Sequence, residues 1–205
     1  MIETKSPTYI PRTLRNTFRS NGFSVLEMLI AVSILLILGS IAIPGMVTVI
    51  SNARLQGGGT SLAGLFQSCR MFAVKQNTTM TARFTVVGSG PVAYVKEAED
   101  STGLIGTDPQ VQLGAPLTQM AVPAGAGAPP ALSSAELGFT PQAGDPSFNS
   151  RGLPCAYSST ACPSAGFVYY FKDNRPVGPS GWISVSISPA GRIRRWIWTG
   201  LAWGS

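Results

Sequence analysis

Residues Phe23 to Ile43, FSVLEMLIAVSILLILGSIAI, form a run of 21 residues with one charge, Glu27. At 1.5 Å per residue a helix of that length matches a hydrocarbon core of about 30 Å, so the run predicts a membrane-spanning helix. The carboxylate is the anomaly. Near the centre of a span it costs about 2.5–3.5 kcal/mol on insertion scales, but Glu27 lies within the first turn or two, where the interface lowers that cost and the helix macrodipole favours an acid.

Upstream, residues 1–22 carry Lys5, Arg12, Arg15 and Arg19 against one acid, Glu3. Such a basic flank stays cytoplasmic, so the rest of the chain is expected to be exported. A secretory signal also begins with basic residues and an apolar core, and Ser40-Ile41-Ala42 has the small-x-small form of its cleavage site. Against cleavage there, the apolar run is long for a signal core and continues through Pro44 toward Ile50. Of the 205 residues, 162 remain after a 22-residue leader and the 21-residue span, enough for one globular domain with its own core.

Gly22-Phe23-Ser24-Val25-Leu26-Glu27, following a basic leader, resembles the prepilin peptidase motif of type IV pilins and pseudopilins. The resemblance implies that Gly22 ends the leader, that Phe23 becomes an N-methylated terminus, and that Glu27 serves assembly. It also implies prepilin peptidase, the inner membrane and other pilin or pseudopilin subunits as partners. Pro44 falls where many pilins kink this helix. An ammonium and a carboxylate attract far more strongly in low dielectric than in water, so Glu27 of one subunit can pair with the Phe23 amine of its neighbour. Because an unpaired buried charge is costly, that pairing favours one stagger between subunits.

No histidine occurs anywhere in the chain. Histidine-based triads, zinc sites and proton shuttles are therefore excluded, and the glycine pairs in GSGP and GAGAPP lack the context of a nucleotide site. The reading is a non-enzyme with no cofactor, metal or small-molecule substrate. Cys155 and Cys162, in the turn-rich CAYSSTAC, predict a small disulfide loop in an oxidising compartment. Cys69 belongs instead to a helical stripe of Leu62, Leu65, Phe66, Cys69, Phe72 and Ala73, where it reads as a small buried hydrophobe.

The stripe predicts that the helix runs on over residues 44–76 and packs against a globular head, with a loosened joint at Gly57-Gly58-Gly59. Within the head, residues 77–205, TMTARFTVV, VAYVKE, GFVYYF, WISVSIS and RIRRWIW read as strands. Residues 98–147, rich in Ala, Gly and Pro, read as a long irregular insertion. The expected fold is α+β: a long N-terminal transmembrane helix followed by a β-sandwich-like, mainly antiparallel head.

In RIRRWIW, alternation places Arg192, Arg194, Trp196 and Trp198 on one face and Ile193, Arg195 and Ile197 on the other. Cations neutralise phosphates without regard to sequence and indoles stack on unpaired bases, so this face reads as a DNA surface, with Arg175 in the neighbouring turn. An edge strand of solvated arginines and packed tryptophans is the other reading. FNSRGLP (148–154) and VSISPAGRIR (185–194) resemble head-domain signatures of the GspH/FimT family of minor pseudopilins, and Gly191-Arg192-Ile193-Arg194 fits the GRxR motif tied to DNA binding in FimT proteins of competent bacteria. That implies a minor pilin binding DNA during uptake in natural transformation, or a GspH-like component of a type II secretion pseudopilus. Without the leader's four basic residues and one acid, 11 basic and 8 acidic residues remain, a net +3, so a DNA role rests on a local cluster.

Overall fold

The computed structural model describes residues 23–88, 90–114, 117–125, 127–159, 161–174 and 181–205. The expected leader with Gly22, and Arg175, lie outside these residues. The chain divides into two compact units, Met1–Ala42 and Ile43–Ser205.

Helix α1 spans Val25–Gln76. Ser24 begins it, accepting the Leu26 N–H on Oγ at 3.3 Å and the Met28 N–H on its carbonyl at 3.1 Å. Asn77 ends it in the left-handed region, φ 53°, a conformation asparagine tolerates, and the Thr78 N–H reaches back to the Ala73 carbonyl. In the first unit, the described apolar side chains of Val25–Leu38 are exposed. Among the described residues, with α1 taken as the two segments Val25–Ser40 and Gly45–Gln76, neither part is by itself long and apolar enough to cross a membrane, while the pair meets that test by length and composition.

In the second unit, α1 buries the expected stripe: Leu62, Leu65, Phe66, Cys69 and Ala73 enter the core, Phe72 packs partly against it, and Leu55, one turn and more before the stripe, joins them. Burying a side chain such as Phe66 contributes about 1.5–3 kcal/mol. The glycine triplet is not a joint, because the helix passes through it unbroken. Its role is close approach: a Cβ on Gly59 would lie 2.5 Å from Ile183 Cδ1, and one on Gly58 would lie 3.0 Å from Leu117 Cδ1.

The strands follow as β1 (Met80–Val87), β2 (Gly90–Glu97), β3 (Gln110–Gln112), β4 (Leu117–Met120), then the one-turn helix α2 (Ser134–Leu137), β5 (Pro141–Gln142), β6 (Ser147–Phe148), β7 (Pro154–Cys155), β8 (Gly166–Asp173), β9 (Trp182–Ile187), β10 (Ile193–Trp198) and β11 (Trp203–Gly204). They form two sheets, ordered β3-β2-β1-β6-β7 and β11-β10-β9-β8-β4, with β5 added parallel to β8. The other pairings are antiparallel. Both sheets and α1 share one core, in which Ala82, Val95 and Phe148 meet Phe167, Phe171, Ile183, Val185 and Ile187. This is the α+β fold expected, with both sheets packing against the helix.

Residues 98–147 are not an irregular insertion. They hold β3, β4, α2 and β5, and their strands widen both sheets at the margins. Strands of two to four residues are too short to show alternation, and an edge position satisfies its backbone on one side only, so Ala-, Gly- and Pro-rich sequence suffices there. The loop after β2 is anchored by the Lys96 ammonium, buried against Asp100 (3.1 Å) and Asp108 (3.6 Å) and bonded to Thr102.

Candidate functional site

Two places carry chemistry. At the first, Glu27 occupies the first turn of α1, exposed, with Phe23 exposed just before the helix. Among the described residues no basic group of its own chain forms an ion pair with Glu27, so its carboxylate is presented outward from the apolar helix.

The second is the edge formed by β10. Two glycine turns build it. In the turn before β10 the Ser188 N–H donates to Arg192 O (2.9 Å) and the Arg192 N–H donates to Ser188 Oγ (3.1 Å), while Gly191 takes φ 81°, which an L side chain resists. In FNSRGLP, Asn149 Oδ1 accepts the N–H groups of Arg151 (3.0 Å) and Leu153 (3.1 Å), and Gly152 takes φ 74°. Both motifs singled out in the sequence are thus tight turns. Both also rest on one residue that sequence reading missed, Arg70 of α1. A Cβ on Gly152 would come within 3.0 Å of Arg70 Nε, and one on Gly191 within 3.5 Å of Arg70 Nη1.

From the Ser188–Arg192 turn β10 starts, and β11 pairs only with Ile197 and Trp198, leaving the edge at Ile193–Trp196 without a neighbour among the described strands. Side chains from both faces reach around that edge. Arg192, Arg194 and Arg195 line one open depression with Ile197, Gly204 and Ser205. Arg195 donates to Thr60 Oγ1 on α1, and Arg194 lies 6.0 Å from the Trp196 ring. Among the described residues, no carboxylate lies within salt-bridge distance of Arg70, Arg151, Arg192, Arg194 or Arg195; the ion pairs found are those of Lys96.

The tryptophans do not join this surface. Trp196 and Trp198 are 7% and 8% exposed. The Trp196 indole N–H donates to Ser186 Oγ at 2.8 Å, and its ring packs in a cluster with Leu132 and Tyr170; Trp198 meets Trp203 edge-on at 5.5 Å. The segment wrapped over this face explains the correction: Trp203 donates to Pro130 O, and the Leu132 N–H donates to Tyr170 Oη. The indoles expected to stack on bases are packing residues. Arg192 and Arg195 are exposed and Arg194 is half-buried.

Comparison with known proteins adds the following. The family described as "Prokaryotic N-terminal methylation motif" matches residues 17–43, the stretch that holds Gly22, Phe23 and Glu27. Among curated proteins none matches this chain. Two crystal structures of the type IV minor pilin FimU of Pseudomonas aeruginosa (strain PAO1) are similar: one at 18% identity and TM-score 0.45, covering 75% of this chain and 95% of that one. The other stands at 19% identity and TM-score 0.43, covering 74% and 98%.

Cys155 and Cys162 form the expected disulfide, Cα–Cα 5.1 Å, closing a loop beside β7. Cys69 is buried in the core as a free thiol, and burial pushes its pKa up, which leaves it an inert packing residue. Arg70 and Arg151 left one faint signal in the sequence. Arg70 directly follows Cys69 but lies off the apolar stripe, and Arg151 sits inside FNSRGLP, which resembles a head-domain signature.

Proposed function

We propose that this chain is a minor type IV pilin-like subunit, cleaved between Gly22 and Phe23, anchored in the inner membrane by α1 with its head on the periplasmic side, and polymerised through Glu27. The observation that carries the reading is the match of the N-terminal methylation motif to residues 17–43, with Glu27 in the first turn of an apolar helix. Cleavage exposes a new amine at Phe23, and Glu27 of the neighbouring subunit neutralises it. In hydrocarbon neither charge is tolerable alone, so the pair selects one axial stagger. Mass spectrometry of the membrane-extracted protein tests it: a chain beginning at methylated Phe23 is expected, and one beginning at Ile43 would overturn it. Glu27→Ala should insert and be cleaved yet enter filaments poorly; undiminished entry would refute the pairing.

Within that filament, DNA uptake is the finer reading. It is supported by Arg192, Arg194 and Arg195 lining one open depression with no carboxylate partner among the described residues. The other reading, a GspH-like subunit of a type II secretion pseudopilus, needs no anion site. Binding of labelled duplex DNA by the full-length protein in phosphatidylcholine nanodiscs separates the two. Binding that falls steeply with salt favours uptake, and none at low salt favours secretion.

A further inference from the structure

We infer that the anion surface of the head is a strip running over α1, β10 and the two glycine turns, in which Arg70 of α1 and Arg151 of the Asn149–Leu153 turn contact phosphates together with Arg192, Arg194 and Arg195. The inference rests on the DNA reading above and extends it to residues outside the GRxR segment.

Its geometry comes from two fixed points. Gly191, at the start of the strip, lies against the Arg70 guanidinium. Arg195, four residues on, bonds to Thr60. β10 therefore travels back along α1 from the level of Arg70 to that of Thr60, about 15 Å of helix. B-DNA carries one negative charge per about 1.7 Å of its axis, so a strip of that length lies along enough phosphates for several arginines to be engaged at once. The two glycine turns matter here for what they admit. With no Cβ at Gly152 or Gly191, the Arg70 side chain sits against both turns, and the residues next to those glycines, Arg151 and Arg192, are exposed on either side of it. Arg70 is itself exposed. Five guanidinium groups from one helix, one strand and two turns thus border the β10 edge, and among the described residues none has an acid to neutralise it.

Nucleic acid fits this better than a lipid surface. Arg70 lies 27 residues beyond Ile43, the end of the expected span, which is about 40 Å along the helix. Headgroups extend only about 5–7 Å past the hydrocarbon, far less than that length of chain.

The test uses full-length protein in phosphatidylcholine nanodiscs and fluorescence anisotropy with a labelled duplex across a salt series. Arg70→Gln with Arg151→Gln should weaken binding on the order of tenfold and lower the log–log salt slope by about two, while Arg70→Lys with Arg151→Lys should keep the parent slope. If the Gln pair melts early, Arg151→Gln alone, on an exposed turn, carries the test with a slope change of about one. A Gln pair that is folded and keeps the parent slope overturns the inference. If in addition Arg192→Gln with Arg194→Gln abolishes binding, the DNA reading stands and only the extension fails. If the parent binds no duplex at about 50 mM salt, or binds phosphatidylglycerol vesicles in its place, the DNA reading and the strip both fall.

Discussion

Replacing Gly59 with alanine measures how closely α1 is held to the second sheet. The new Cβ would lie 2.5 Å from Ile183 Cδ1 and 3.5 Å from its Cγ1. Ile183 is 1% exposed and lies in β9, between Phe171 of β8 and Ile197 of β10. Its backbone is therefore fixed on both sides, and relief must come from a strained rotamer or from moving the helix. Overpacking of this kind costs about 1–3 kcal/mol, while Gly to Ala inside a helix gains about 1 kcal/mol, so Gly59→Ala should lose about 0–2 kcal/mol. Gly57, two residues earlier in the same helix, meets nothing within 4 Å, so Gly57→Ala should gain the full propensity term. The two variants should thus differ by about 1–3 kcal/mol, with Tm moving about 2–4 °C per kcal/mol at this chain length. Near-UV circular dichroism can follow the melt, since Trp182, Trp196 and Trp198 are buried. Ile183→Val removes the clashing methyl, so in a double-mutant cycle it should cost less in the Gly59→Ala background than the usual figure of about 0.5–1.5 kcal/mol expected of it alone. If Gly59→Ala stabilises as much as Gly57→Ala, the helix moves freely away from β9 and the close-approach account of the triplet is wrong.

Three further outcomes follow from the head. Cys69, buried with its pKa raised by desolvation, should resist iodoacetamide at neutral pH until the protein is denatured; mass spectrometry showing alkylation of folded protein would contradict its place in the core. Reducing Cys155–Cys162 frees a short loop and should lower stability by about 2–3 kcal/mol, read as a fall in the urea midpoint. The Asp100 carboxyl is held down to about 2 by the Thr102 hydroxyl, then by the Thr102 N–H and Lys96. With its folded value depressed, its contribution is complete above the ordinary aspartate range and is lost as pH falls toward about 2, so the hydrogen-exchange protection of the Thr102 amide, measured against the intrinsic rate at each pH, should hold at about pH 4 and fall near pH 2.

The helix and the long strands were readable because each has a period long enough to declare itself. Six positions from Leu62 to Ala73 repeat at helical spacing, and β8, β9 and β10 each carry six or more β-branched, aromatic or alternating residues. The glycine triplet misled because propensity is a backbone average. It says that Gly57–Gly59 weaken a helix, but not that Leu117 and Ile183, more than fifty positions away, leave no room for a side chain. Residues 98–147 were illegible for a related reason: β3, β4 and β5 exist only because β2 and β8 offer them edges. One local sign was there to read, the Ser133–Glu136 capping box that starts α2. At the candidate site, alternation placed the arginines and tryptophans of β10 on their faces, but it could not show that the segment around Pro130 and Leu132 covers the tryptophans.

That cover changes what the β10 edge can recognise. An indole exposed beside arginines would stack on unpaired bases, worth about 1–3 kcal/mol per base, and would favour single strands. Here Trp182, Trp196 and Trp198 are buried, and the half-buried Trp203 has its indole N–H held by Pro130 O, so the strip is left with guanidinium groups alone. Contacts of that kind respond to charge density. Each phosphate contact on B-DNA contributes about 0.9 to the salt slope and each on a single strand about 0.7, so a rigid row of arginines gains more from the duplex. The full-length protein should therefore bind a duplex at least as tightly as a single strand of equal length, with the steeper slope on the duplex and little dependence on base composition. A marked preference for single strands would mean that bases reach an aromatic face, and since the tryptophans are packed, the segment over Trp196 and Trp198 would have to lift on binding.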